Sequence, residues 1–343
     1  MRLRDYIVKR LILLVPVLFG VTLIAFTLSH VIGDPVAAYA SERTPEWQIK
    51  QIILQKGLDK PIYVQYGVYI SDLLKGDWGY TRSVNDRPVT EVIREFFPAT
   101  FELTTVSLVM ILIIAIPLGI ISATHKDKPI DHVTRLFALS GVSMPVFWLG
   151  LLMLFVFYYQ FQIWGLPSLP SGARLDQLIY PPFTAVTGFY LLDSLLQLRV
   201  DVFLDALIHL IMPAFVLGYN GVTVVTRMMR SSMLEVMRQD YIMLARSKGL
   251  PERIVIYRHA MKNAMIPTVT MVGLSFGGLL TGAPITETVF SWPGLGRWAA
   301  AAILRTDFSA ISGFAIVSAL VYVMANLIVD ILYAFIDPRI RLG

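Results

Sequence analysis

The sequence predicts an all-α polytopic membrane protein, with six transmembrane helices and a small helical insertion after the first of them. Three observations carry this reading. The 343 residues are 56% hydrophobic and only 15% charged, with a mean hydropathy of +0.65, a balance that soluble domains built on one core do not have. Six apolar segments reach about the 20 residues that a bilayer core requires: 11–31, 103–123, 136–159, 208–226, 268–289 and 314–336. The basic residues are divided unevenly between the connections. With the N-terminus inside, Arg2, Arg4, Lys9, Arg10, Lys126, Lys128, Arg135, the eight basic residues of 227–262, Arg339 and Arg341 are cytoplasmic. The short outer loops then hold only Arg174, Arg199, Arg297 and Arg305, as the positive-inside rule demands. Both termini are therefore placed in the cytoplasm, and the formal net charge of +5 needs no nucleic-acid partner.

The first element, 1–31, reads as a cytoplasmic N-terminus and a retained span. Its apolar run exceeds the 7–15 residues of a signal peptide, and the cleavage-like Ala38-Tyr39-Ala40 lies beyond its end. The stretch 32–100 reads as a helical insertion outside the membrane. There Thr44-Pro45-Glu46 starts a helix that Gly57 stops, Ile62, Tyr66, Tyr69, Ile70 and Leu73 mark a second helix closed by Gly76, and Asp77-Trp78-Gly79 forms a turn.

Residues 101–343 read as a five-span core. Phe96-Phe97-Pro98 precedes its first span with aromatics suited to the interface, and Pro145 kinks the next, 136–159. The proline-rich connection 161–205 is expected to contain no further span. In the fifth span Gly273, Gly277, Gly278 and Gly282 provide overlapping G-x-x-x-G spacings, which let helix backbones approach closely and make these residues candidates for helix packing or for lining a path. The turn Ser291-Trp-Pro-Gly-Leu-Gly-Arg-Trp298 is expected to hold aromatic anchors, and Asp330 in the last span to pair with a basic loop residue.

The stretch 227–267 organises the rest. Ser232-Met-Leu-Glu235 fits a capping box, and Met233, Met237, Tyr241 and Leu244 follow at helical spacing. Gly249 is expected to end that helix in a left-handed cap, and Pro251 to open another, with Ile254, Tyr257 and Met261 as its stripe. Two short basic amphipathic helices at a membrane surface make a docking device; a plain membrane-surface helix is the simpler alternative.

Several chemistries find no support. The chain has no cysteine, which excludes disulfides and thiolate metal sites. It has no Gly-x-x-x-x-Gly-Lys-Ser/Thr loop, and its five histidines lie in different loops and span ends without H-E-x-x-H spacing. Within the spans only Glu102, Glu287 and Asp330, all at span ends, could serve a proton relay. No catalytic and no metal residues are assigned.

The run Asp240-Tyr-Ile-Met-Leu-Ala-Arg-Ser-Lys-Gly-Leu250, followed by Arg258-His-Ala-Met-Lys-Asn-Ala-Met-Ile-Pro267, resembles the loop by which permease subunits of ATP-binding-cassette (ABC) importers grip their ATPases. More narrowly, the chain resembles the B-type permeases of dipeptide, D,D-dipeptide and oligopeptide importers over nearly its whole length. Gly33-Asp34-Pro35, Gly57-Leu58-Asp59-Lys60-Pro61, Phe97-Pro98-Ala99-Thr100, Thr187-Gly188-Phe189, 291–298 and Asp337-Pro338-Arg339 extend the likeness. Met243-Leu244-Ala245 stands where the general pattern has Glu-Ala-Ala, Pro267 lies further from Gly249, and Pro251 replaces a polar cap; the first two are usual in the peptide branch.

The resemblance implies a type I ABC importer transmembrane domain in the cell (inner) membrane, surrounded by membrane lipid. Its expected partners are a C-type permease subunit, two ABC ATPase subunits and an extracytoplasmic substrate-binding protein. ATP and Mg would be bound by the ATPases, leaving no cofactor in this chain. The coupling residues would be Asp240, Tyr241, Ala245, Arg246, Lys248, Gly249, Leu250, His259, Asn263 and Pro267. Dipeptides or short oligopeptides are the expected cargo; glutathione, a nickel chelate or an oligosaccharide carried by the same machinery is the alternative, and a gradient-driven secondary carrier the more distant one.

Overall fold

The computed structural model describes residues 3–29, 35–40, 44–176 and 183–336. Gly33, Asp34, Asp337, Pro338, Arg339 and the side chain of Asp330 lie outside the described residues. Among the described residues the fold is helical, apart from one two-stranded ribbon.

Helix α1 (Leu3–Thr27) is followed by α2 (Glu46–Lys56) and α3 (Ile62–Lys75). Both short helices stop where glycine was expected to stop them, because Gly57 and Gly76 take φ of +63° and +86° and turn their N–H groups back onto the last carbonyls. Lys56 Nζ ties the pair together, 2.7 Å from both Asp72 and Asp77. The ribbon that follows, β1 (Tyr80–Thr81) against β2 (Arg87–Pro88), was not anticipated from the sequence. It leads directly into α4 (Val89–Thr124), which begins well before the apolar segment and runs through Pro98.

The expected single span 136–159 is divided. Helix α5 (Pro129–Ser143) stops at Met144, which is extended at ψ 123°, and α6 (Val146–Met153) starts anew after Pro145. A proline disfavours the helical conformation in the residue before it, so this site breaks the helix instead of kinking it. Helix α6 continues through a π-helical stretch (Leu154–Gln160) into α7 (Phe161–Ile163), and 146–163 is the part long and apolar enough to cross a membrane.

After the short α8 (Tyr190–Leu196) comes α9 (Val200–Val236), then α10 (Asp240–Ser247), α11 (Glu252–Ile254), a second π-helical stretch (Val255–Ala260) and α12 (Met261–Val289). Helices α13 (Leu295–Leu304) and α14 (Phe308–Ile336) follow. Helices α4 and α9, the 146–163 helix and 308–328 of α14 each meet the length and apolarity of a membrane span. A fifth candidate runs from Glu252 through α12 with a 58° bend ahead of Pro284, where the proline ring displaces a backbone hydrogen bond. The shorter apolar 12–27 lies within α1. The protein is therefore an all-α polytopic membrane protein.

Helices α4 and α9 form the central pair. Ser107 meets Gly218, Ile111 meets Gly221, Gly119 meets Met229 and Ser122 meets Arg230, so the two helices run parallel. Their closeness depends on small residues. A Cβ on Gly119 would lie 2.6 Å from the Met229 Cβ, and one on Gly221 2.5 Å from Ile111 Cδ1. Helix α12 runs antiparallel to this pair, with Ser275 near Gly221, Thr268 bonded to Met229, and Glu287 bonded to Thr100.

Both tryptophans of 291–298 are buried, at 1% and 3% exposure, and are not the interfacial anchors expected from sequence. Each indole N–H has a partner that makes burial tolerable: Trp292 donates to the Ala99 carbonyl at 3.0 Å, and Trp298 to the Ser83 hydroxyl at 3.1 Å. Asp307 locks the ribbon turn to the start of α14, accepting from Thr81 Oγ1 at 2.6 Å and Ser83 N at 2.9 Å.

Candidate functional site

The segment from Asp240 to Pro267 is built as a corner. Helix α10 starts after Gln239, whose extended backbone (ψ 149°) provides the N-cap, and Asp240 places negative charge at the positive end of the helix dipole. Ile242 and Ala245 point inward, at 0% and 6% exposure. They pack with Ile120 and Ala123 of α4, Met229 and Met233 of α9, and Val255, Ala260 and Ala264 of the returning helix. Burying an isoleucine in this way contributes about 2 kcal/mol. It seats α10 on the ends of the two central helices.

The helix ends in a Schellman motif. Gly249 has φ +73°, its N–H bonds to Arg246 O at 2.9 Å, and Leu250 N–H reaches Ala245 O at 3.4 Å. Arg246 then grips Glu252 across the turn, and hydrogen bonding from Arg246 holds that carboxyl below its ordinary range. Pro251 is the N-cap of α11 and supplies no side-chain hydrogen bond; its carbonyl accepts from Ile254 N at 2.8 Å. Asn263 donates from Nδ2 to the Tyr241 hydroxyl at 2.7 Å, joining the two arms of the corner.

Ser232 lies inside α9, buried at 6% exposure, so Ser232-Met-Leu-Glu235 is no capping box. Burial of Met229 and Met233 carries α9 through that position, and the chain breaks only at 237–239. The break resets the helical phase. Tyr241 and Leu244 consequently face outward with Met243, at 41%, 56% and 51% exposure, instead of continuing the stripe of Met233 and Met237. Likewise Ile254 and Tyr257 are exposed while Val255 and Ala260 are buried, because the π-helical stretch shifts the inward face.

The other candidate residues divide between surface and core. Asp240, Arg246, Lys248 and Gly249 are exposed, Leu250 and His259 are half-buried, and Ala245 is turned into the protein's own core. Pro267 lies within α12 and ends nothing. Of the glycines, Gly273 is buried, Gly277 sits beneath the Tyr322 ring, and Gly278 faces a cavity. The packing of Gly282 lies outside the described residues.

Sequence reasoning missed the ion pair that backs this corner. Asp131, at the start of α5, is fully buried, and its two carboxylate oxygens accept from Arg230 Nε and Nη2 of α9, each at 2.9 Å. Ser122 of α4 donates to the same carboxylate. Arg230 foremost holds the Asp131 carboxyl well below the usual carboxylate range. Three helices are thereby joined where the corner sits. Asp131 and Arg230 are 99 positions apart and Ser122 lies on a third helix, so only the basic flank of α9 and the acidic start of α5 could have hinted at it.

Glu287 also has a structural occupation. It accepts from Thr100 Oγ1 at 2.6 Å and Arg297 N at 2.8 Å, so that its carboxylate caps the N-terminus of α13. A Cβ at Gly294 would collide with that carboxylate, which accounts for the glycine. Glu102 is paired with Arg174 at 2.7 Å, where the guanidinium also lies 3.6 Å from the Tyr190 ring centroid.

Comparison with known proteins identifies the family. The family model described as "Binding-protein-dependent transport system inner membrane component" matches residues 115–342, and the model of the corresponding N-terminal region matches residues 3–104. The chain belongs to this family. Among its relatives is the probable D,D-dipeptide transport system permease protein DdpB of Escherichia coli K12, 48% identical over 331 residues, covering 96% of this chain and 95% of the relative. The dipeptide transport system permease protein DppB of the same strain is 41% identical, covering 98% of each chain. The oligopeptide transport system permease protein AppB of Bacillus subtilis is 33% identical, covering 98% of this chain and 99% of the relative. The protein is thus a multi-pass membrane permease of a binding-protein-dependent transport system.

Proposed function

We propose that this chain forms half of the translocation path of an ABC importer for dipeptides or short oligopeptides. It works with a C-type permease subunit, an extracytoplasmic binding protein and two ATPases, one of which docks on the 240–263 corner. The observation that carries the docking role is the outward apolar face of Tyr241, Met243 and Leu244 on a helix whose other face is seated by Ile242 and Ala245. An apolar patch that is held rigidly and left uncovered by its own chain fits a protein partner. The cargo is inferred from the relatives, which are D,D-dipeptide, dipeptide and oligopeptide transport permeases.

In this reading the chain crosses the membrane six times with both termini cytoplasmic, and 32–100 is a small extracytoplasmic helical insertion. The chain itself is non-catalytic; ATP and Mg belong to the ATPases. ATPase closure displaces α10, and the buried contacts of Ile242 and Ala245 pass that displacement to α4, α9 and α12. The function is tested by peptide uptake into proteoliposomes holding the assembled complex. Uptake that requires internal ATP and survives collapse of ion gradients is expected. Uptake driven by a gradient without ATP would establish a secondary carrier instead.

A further inference from the structure

We infer that the cavity between α6, α9 and α12 is the cargo-contact site of this half of the transporter, and that it takes short peptides through uncharged contacts. The inference rests on the importer reading above. The cavity measures about 400 Å³ and is lined by Val146, Leu217, Leu274, Asn220, Ser275 and Gly278 among others, none of them charged. That volume lies within the roughly 300–1,000 Å³ of small-molecule sites.

Its polar groups are few and placed alike. Asn220 is exposed on α9 while Tyr219, Gly221 and Val222 on either side are buried. An exposed carboxamide within an apolar span is costly against lipid and suits a wet path or a polar cargo. The Ser275 hydroxyl donates to Met271 O at 2.7 Å, leaving its oxygen free to accept. A peptide carries both donors and acceptors at every amide, which matches a carboxamide and a hydroxyl oxygen.

Gly278 supplies the second, independent observation. A Cβ there would meet nothing within 4 Å, whereas one at the adjacent Gly277 would press on Tyr322 Cε2 at 2.8 Å. Packing among the described residues therefore accounts for Gly277 and not for Gly278. The absent side chain at 278 keeps the cavity open.

The test uses the complete transporter with its binding protein in proteoliposomes, and two labelled dipeptides, one of net charge +1 with lysine and one of net charge −1 with glutamate. Asn220→Asp puts a negative charge on the wall, and the cationic-to-anionic uptake ratio should rise about tenfold over the original complex. The binding protein's own preference cancels in that comparison. A second readout covers the case in which Asn220→Asp fails to assemble. The chain lacks cysteine, so Asn220→Cys gives it a single thiol, and peptide supplied during turnover should slow its reaction with a water-soluble maleimide. An unchanged ratio, or labelling indifferent to peptide in a complex that still transports, would overturn the inference. An original complex that takes up neither peptide would overturn the importer reading itself, and this inference with it.

Discussion

The guanidinium of Arg246 and the carboxylate of Glu252 meet in two parallel hydrogen bonds across the Gly249 turn, Nη2–Oε1 at 2.6 Å and Nε–Oε2 at 3.2 Å. They join the end of α10 to the start of α11, so that docking helix and returning helix move as one corner. Both side chains are about half exposed, and such a pair contributes no more than about 1 kcal/mol. Its value lies in geometry. Glu252→Lys is expected to leave assembly and thermal stability nearly unchanged while lowering the peptide transported per ATP hydrolysed several-fold. The swap of Arg246→Glu with Glu252→Arg should restore that ratio, and transport-to-ATPase stoichiometry is the measurement. Because the native Glu252 pKa is depressed, the bridge is fully present above about pH 4.3 and is lost only as pH falls through the still lower native value.

At Gly249 the requirement is conformational. Its φ is +73° and a Cβ would meet nothing within 4 Å, so a side chain costs only what the left-handed backbone costs, about 1–2 kcal/mol. Asparagine, which tolerates that region, should disturb coupling least, alanine more and valine most. Coupled ATPase rates across the three variants test this order. Damage from asparagine equal to that from valine would mean that the surface itself, and not the backbone angle, is what matters there.

The Asp131–Arg230 pair behaves differently because its carboxylate is fully buried, while Arg230 is about one-fifth exposed. Removing Arg230 strands the buried carboxylate, which costs up to about 3–5 kcal/mol, and removing Asp131 costs less. Asp131→Ala and Arg230→Met should each lower the thermal midpoint of the detergent-purified complex, and the double variant should recover part of the loss. With its native pKa far depressed, Asp131 contributes fully above about pH 3.9, and the contribution is lost only as pH falls through that lower native value. Stability between pH 5 and 8 should accordingly show no transition from this pair, as a thermal series over that range would reveal.

Much of this arrangement was legible in the chain. Gly57, Gly76 and Gly249 stop helices because a positive φ is a local demand with a local answer, and the apolar segments declare helices by length alone. What stayed hidden depends on neighbours far along the chain. Ser232 looks like a cap until Met229 and Met233 are seen buried on α4, which carries the helix onward. The indoles of Trp292 and Trp298 look interfacial until the Ala99 carbonyl and the Ser83 hydroxyl are in place. The G-x-x-x-G spacing drew attention to α12, yet the tightest helix contacts through glycine include Gly119 and Gly221 on the parallel α4–α9 pair. A parallel pairing joined through several intervening helices leaves no short-range pattern.

Gly277 gives a packing prediction separate from the cavity. An added methyl would press on the Tyr322 ring, and overpacking of this kind costs about 1–3 kcal/mol. Gly277→Ala should destabilise the chain, and Tyr322→Leu in the same protein should relieve most of the loss. Unfolding midpoints of the single and double variants check it; an additive loss would mean that the two residues do not share the contact.

The outward face of α10 is the centre of the account, and affinity purification tests it most directly. The tagged chain, coexpressed with its importer subunits and extracted in mild detergent, would be analysed by quantitative mass spectrometry beside a Tyr241→Asp/Leu244→Asp variant. The original chain is expected to bring down a second permease and two ATPase chains, and the variant to keep the permease but lose about half of the ATPase, the copy docked on this chain, since two buried apolar contacts are worth about 3 kcal/mol. Equal ATPase recovery from both, or an original chain recovered alone, would contradict it.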